Sequence, residues 1–187
     1  MPPHSATPPD EFASFMQAYQ DMVFSTIVRL TGNDAQAEDL AQEVFLKAYE
    51  NFEQLRVSST TGGWLKTVAT HRTINYLSRY RNRWRLFCEL RDADDEDYEP
   101  PVDVATADAL LAALDTERRT ALIEQALREL PEAQRVPLVL YHFSAMPYEE
   151  IARQLRISLA KVKIDIHRAR IALGRSLGRS GIASSIE

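Results

Sequence analysis

Apolar residues recur three and four positions apart along most of this chain, and that spacing limits what it can fold into. Phe12, Phe15, Met16, Tyr19, Val23, Ile27 and Leu30 form one such series, and Leu159, Val162, Ile166, Ala169 and Leu173 form another. A period near 3.6 puts these side chains on one face of a helix, whereas a strand needs alternation with a period of two. Alternating runs are scarce and there are only 6 glycines in 187 residues. The expectation is an all-α protein.

Local signals divide the helical pattern. Gly32 stops the first helix, and Asn33 with Gln36 has the form of a capping box for a second, running from about Asp34 to Phe52 with Ala37, Leu40, Ala41, Val44 and Ala48 inward. Asp39, Gln42, Glu43 and Glu50 mark its outer face, where a solvated surface and a partner surface are both open readings. Phe45, Leu46 and Tyr49 beside that face imply more core or a docking surface. After VSSTTGG, a helix is expected from Trp64 to about Arg85.

The net charge is −5, but it is unevenly spread. Gln54 to Cys88 contains Lys66, Arg72, Arg79, Arg81, Arg83 and Arg85 without an acid, whereas Asp92 to Thr116 is rich in acids and lacks Lys and Arg. Clustered acids with Pro100 and Pro101 do not build a core and suit a flexible linker. The expected organisation is an arm at 1–9, a first helical domain at 10–91, an acidic linker at 92–116, a second helical domain at 117–180 and a tail at 181–187.

The basic helix also carries Tyr76, Tyr80 and Trp84. Cations with flat rings suit DNA whose bases have left the stack, where each stacked base gains roughly 1 to 3 kcal/mol. The competing reading keeps Trp64, Val68, Leu77 and Tyr76 in the core, and Trp64 is assigned there.

Pro147 to Leu173 reads as two short-linked helices. Pro147 ends the preceding apolar run, Glu149 and Glu150 suit the positive end of a new helix, and that helix closes near Arg156. Ser158 then caps a second helix, whose outward face carries Ala160, Lys161, Ile164, Asp165 and Arg168. This is the form of a helix-turn-helix, in which the second helix reads base edges and Lys or Arg anchors phosphates, although a plain helical hairpin shares the pattern. Lys161, Lys163, Arg168 and Arg170 fit the DNA roles.

Other chemistry finds little support. The single cysteine, Cys88, excludes an internal disulfide, and His4, His71, His142 and His167 lack metal-site spacing. No metal or cofactor is expected. No nucleophile, glycine-rich phosphate loop or clustered catalytic acid suggests an enzyme. Without a signal peptide or membrane span, the expected location is cytoplasmic.

Three blocks, AQAEDLAQEVFLKAYENF, GGWLKTVATHRTINYLSRYR and ALRELPEAQRVPLVLYHFSAMPYEEIARQLRISLAKVKIDIHRAR, resemble in their order the regions of an extracytoplasmic-function sigma factor, of the sigma-70 family and RpoE-like. The resemblance implies a protein that joins bacterial RNA polymerase core and directs promoter-specific initiation, with the first domain as sigma region 2 and the second as sigma region 4. It places Asp39, Leu40, Gln42, Glu43, Phe45 and Leu46 against the polymerase clamp. It places His71, Arg72, Asn75, Tyr76, Arg79, Tyr80, Arg81, Arg83 and Trp84 at the minus-ten element, where captured non-template bases drive melting without ATP. Leu130, Pro131, Gln134, Arg135, Leu138 and Leu140 match the start of region 4, which also meets the polymerase flap. Ser158, Ala160, Lys161, Lys163, Ile164, Asp165, Arg168 and Arg170 fall at the minus-thirty-five element. The linker then runs toward the RNA path or serves as a spacer, two readings its composition fits equally.

The resemblance also implies control by an anti-sigma protein, which could tether the chain to a membrane, with the apolar surfaces around Phe45 and Leu138 as targets. The alternative function is a helix-turn-helix regulator acting without polymerase. The chain departs from the family at Thr70 and His71, where Arg-Asn is common, and at Asn75, where an acid is frequent. In the recognition helix, Lys161, Ile164 and Asp165 are unusual. Asp165 either accepts from cytosine N4 or orients a nearby Arg, and Ile164 either meets a thymine methyl or packs against the turn.

Overall fold

A computed structural model describes residues 9–88 and 116–183, with side chains described over 11–79 and 117–179. The expected arm, the acidic linker and the end of the tail lie outside the described residues. The described residues form eight helices and no strands: α1 (Pro9–Thr31), α2 (Asp34–Glu50), α3 (Phe52–Leu55), α4 (Thr61–Cys88), α5 (Thr116–Glu129), α6 (Glu132–His142), α7 (Tyr148–Leu155) and α8 (Leu159–Ala183). The all-α expectation holds. Two compact units divide between Tyr76 and Leu77, within the length of α4.

In the first unit, α1 and α2 pack as a hairpin around Val23, Ile27, Ala37, Leu40, Val44 and Ala48, with Leu65 and Ala69 of α4 in the same core. Gly32 makes the turn at φ 64°, a left-handed conformation that costs glycine no side-chain clash. Asn33 caps α2, its Oδ1 accepting from the Gln36 amide at 3.1 Å. The amide of Asn33 donates to Thr31 Oγ1 at 3.3 Å, so the return bond of a capping box is replaced by a threonine.

The second helix ends at Glu50 rather than continuing to Phe52. The Asn51 side chain donates to the Lys47 carbonyl at 2.8 Å and caps the end, and Phe52 turns inward. There it meets Phe12 and Phe15 edge-on, each at 5.2 Å between ring centres. Thr61 Oγ1 closes the following loop onto the Leu55 carbonyl at 2.6 Å and the Ser58 carbonyl at 2.9 Å, so α4 starts three residues before the expected Trp64. Trp64 packs half-buried on the core.

The second unit gathers α5, α6 and α7 around α8. Val136, Leu138, Val139 and Leu140 of α6, Ile151 and Leu155 of α7, and Val162, Ile166 and Ala169 of α8 are all buried. Ala126 of α5 packs on Leu177 of α8, with Leu122, Ile123 and Leu173 around them.

Candidate functional site

The turn between α7 and α8 is built as the local sequence requires. The Pro147 carbonyl accepts from Glu150 and Ile151, each at 3.0 Å, and begins α7. Arg156 then adopts φ 55°, ending the helix in a left-handed residue that sends the Ile157 amide back to the Ala152 carbonyl at 3.1 Å. Ser158 Oγ accepts from the Lys161 amide at 3.1 Å and starts α8. The result is a helix-turn-helix with α8 as its second helix.

Val162, Ile166 and Ala169 hold α8 to the unit, and Ala160, Lys161, Lys163, Ile164 and Arg168 are exposed, with Ile164 50% accessible. Two residues depart from their expected places. Leu159 is 36% accessible instead of continuing the buried stripe. Asp165, expected on the outward face, is only 4% accessible and receives Lys161 Nζ at 3.2 Å. At about 100° per residue, Asp165 lies about 60° from Val162 and about 40° from Ala169, on the margin of the buried arc. Buried there, its carboxylate is paired with the Lys161 ammonium.

Arg170 is exposed but engaged. Its Nη2 lies 3.2 Å from His142 Nε2, and its guanidinium lies over the Tyr141 ring at 5.7 Å. Tyr148 completes the group at 4.7 Å from Tyr141. Because a guanidinium only donates, His142 accepts through Nε2 and is neutral. Burial, then the Arg170 charge, holds its pKa below the ordinary 6.5. These ring partners, 28 residues apart for His142 and Arg170, have no signal in local sequence.

In the first unit, Asp39, Gln42, Glu43 and Leu46 share one exposed face of α2, extended by Tyr49. Leu46 is 67% and Tyr49 54% accessible. Leu40 and Phe45, both expected on the docking surface, are buried in the core. Phe45 lies on the flank of the buried arc and joins the core that residues of α1, α2 and α4 share. Leu138 is likewise buried, so neither Phe45 nor Leu138 provides an apolar target at the surface.

The face of α2 meets α4 through Glu43, whose Oε2 lies 3.1 Å from Arg72 Nη1. His71, Arg72, Asn75 and Arg79 are exposed along α4, whereas Tyr76 is half-buried on the core, as its alternative assignment required. Tyr80, Arg81, Arg83 and Trp84 lie on the helical backbone of α4, and their side chains fall outside the described residues.

Arg135 occupies the start of α6 as a structural donor. It is buried, and its Nη1 donates to the Leu130 carbonyl at 2.9 Å. Burial pulls its pKa below the ordinary value, with Glu132 opposing the shift. Leu130, Leu138 and Leu140 are buried as well, leaving Pro131 exposed and Gln134 partly so. Among the described residues no cluster of His, Cys, Asp and Glu could hold a metal, and no helix is long and apolar enough to cross a membrane.

The described residues thus give a helical bundle with exposed basic residues on α4, followed along the chain by a helix-turn-helix unit. Residues 15–84 match Sigma-70 region 2 and residues 120–173 match Sigma-70, region 4. The chain is 30% identical to the ECF RNA polymerase sigma factor SigL of Mycobacterium tuberculosis, over 91% of this chain and 93% of that one. It is 30% identical to the RNA polymerase sigma-H factor of Pseudomonas aeruginosa, over 85% and 82% of the two chains. It is 29% identical to the ECF RNA polymerase sigma factor SigW of Bacillus subtilis, over 90% and 89%. The chain belongs to the extracytoplasmic-function RNA polymerase sigma factors.

Proposed function

We propose that this protein binds bacterial RNA polymerase core and directs it to promoters, contributing no catalytic step of its own. The observation that carries the proposal is the ordered pair of region 2 and region 4 matches, the second ending on a Ser158-capped helix with exposed Lys161, Lys163, Ile164 and Arg168. Residues 10–91 act as the polymerase-binding and minus-ten domain, 92–116 as the linker, and 117–180 as the minus-thirty-five domain. The protein works in the cytoplasm, where its polymerase is found.

Asp39, Gln42, Glu43, Leu46 and Tyr49 form the polymerase-docking face, and Leu40 and Phe45 support it from below. His71, Arg72, Asn75 and Arg79, followed by Tyr80, Arg81, Arg83 and Trp84, track the non-template strand. Binding that strand better than closed duplex shifts the equilibrium toward the open state. Lys161, Lys163, Ile164, Arg168 and Arg170 meet the upstream duplex, with the methyl-rich Ile164 suited to a thymine methyl. An anti-sigma protein holds the factor inactive by covering the exposed Leu46 and Tyr49 region, in place of the buried Phe45 and Leu138.

Run-off transcription with purified polymerase core and mapped start sites tests the function. Initiation from discrete sites that depends on the added protein is the expected result. Specific duplex binding without core-dependent initiation would favour a regulator that acts without polymerase.

A further inference from the structure

Asp165 is a buried carboxylate in the second turn of α8, between the stripe that holds the helix and the ridge that carries Lys161 and Arg168. Its Oδ1 lies 3.2 Å from Lys161 Nζ, and the two side chains are 5% and 55% accessible. The carboxylate is withdrawn from solvent while the ammonium is not. Lysine has a flexible four-carbon stem, and an untethered one meets phosphates as a roving point charge. Here one of its three donors is engaged by a carboxylate buried beside the core, which narrows the positions open to the ammonium and leaves the other two donors available.

We propose that Asp165 is a positioning residue that makes Lys161 a reader of guanine in the upstream promoter duplex, rather than a phosphate anchor. Guanine offers O6 and N7 as paired acceptors in the major groove, and a lysine held in one place can address both. The pairing also offsets part of the Lys161 charge, which reduces its general attraction to phosphates. Burial keeps the Asp165 carboxylate itself away from the backbone phosphates. The proposal rests on the promoter-recognition reading above.

The test uses the full chain assembled with polymerase core and duplexes that the wild-type holoenzyme enriches from a pool randomised in the upstream element. Each base pair of the enriched site is then substituted in turn, and affinity is measured over a range of salt. Asp165→Asn keeps size and an acceptor but removes the charge. It should lower discrimination for guanine at one base pair about tenfold, leave discrimination elsewhere intact, and steepen the salt slope by about one counterion. Lys161→Met should flatten the same base pair, and adding Asp165→Asn to it should change nothing further there. The double variant removes both charges, so it separates loss of reading from the strain of an unpaired buried carboxylate.

Unchanged discrimination in Asp165→Asn, or an equal weakening on every duplex with a lowered melting temperature, would overturn the positioning role. So would retained discrimination in Lys161→Met. If the wild-type holoenzyme selects an upstream sequence that neither variant alters, promoter recognition stands and this proposal fails. If it selects none, the promoter-recognition reading fails first and takes the proposal with it.

Discussion

Glu43 of α2 and Arg72 of α4 meet at 3.1 Å, joining the face assigned to polymerase with the face assigned to the minus-ten strand. Both side chains are about half exposed, so water and salt screen the pair and its contribution to stability is about 0 to 1 kcal/mol. Its position on two faces matters more than its strength.

Reversing Asp39 and Glu43 together to Arg should leave the fold nearly intact, since both lie on the exposed face of α2. Core polymerase affinity should fall at least tenfold. Equilibrium binding by fluorescence anisotropy, paired with a thermal melt, measures both quantities. Unchanged affinity would remove the docking assignment.

Arg135→Ala should cost about 2 to 4 kcal/mol, because it leaves the Leu130 carbonyl without this donor and opens space in a buried site. Urea denaturation followed by circular dichroism gives the value. A loss under about 0.5 kcal/mol would show that the Arg135 bond to the Leu130 carbonyl does not hold the start of α6 in place.

His142 gives the second unit a pH dependence whose sign follows from its lowered pKa. Below the ordinary 6.5 the unfolded chain takes up a proton that the folded chain resists, so stability falls with decreasing pH until the folded pKa is reached. Melting between about pH 7 and pH 5 should show a component that His142→Gln removes. A component that survives the substitution unchanged would assign it to other groups.

Arg156→Gly should stabilise the helix-turn-helix by about 1 kcal/mol, the left-handed conformation at φ 55° being unfavourable for any residue with a Cβ. The exposed Arg156 side chain should contribute little against that gain. A rise in melting temperature with unchanged promoter selection is expected. Destabilisation would show that the arginine makes contacts worth more than its backbone costs.

Several features were legible because their causes are local. Gly32, the Asn33 cap, Pro147 and the Ser158 cap each act within four residues, and all four stand where the pattern put them. The surface assignments were less secure at the edges of the helical stripes. Phe45 and Asp165 each lie beside a buried arc, where a small rotation of a neighbouring helix decides between core and solvent. Periodicity gives the centre of an arc but not its width.

The sequence alone determined the all-α class, the stops and caps at Gly32, Asn33, Pro147 and Ser158, and the ordered pair of sigma regions, since hydrophobic period, backbone chemistry and charge segregation are written into short stretches. Tertiary packing decided which side chains on those helices remain available. It drew Phe45, Leu138 and Arg135 inward, left Leu46 and Tyr49 outside, and paired Glu43 with Arg72 and Arg170 with His142 across distant segments. Burial depends on what another part of the chain places against a helix, and an apolar, acidic or basic residue at the margin carries no local mark of that neighbour.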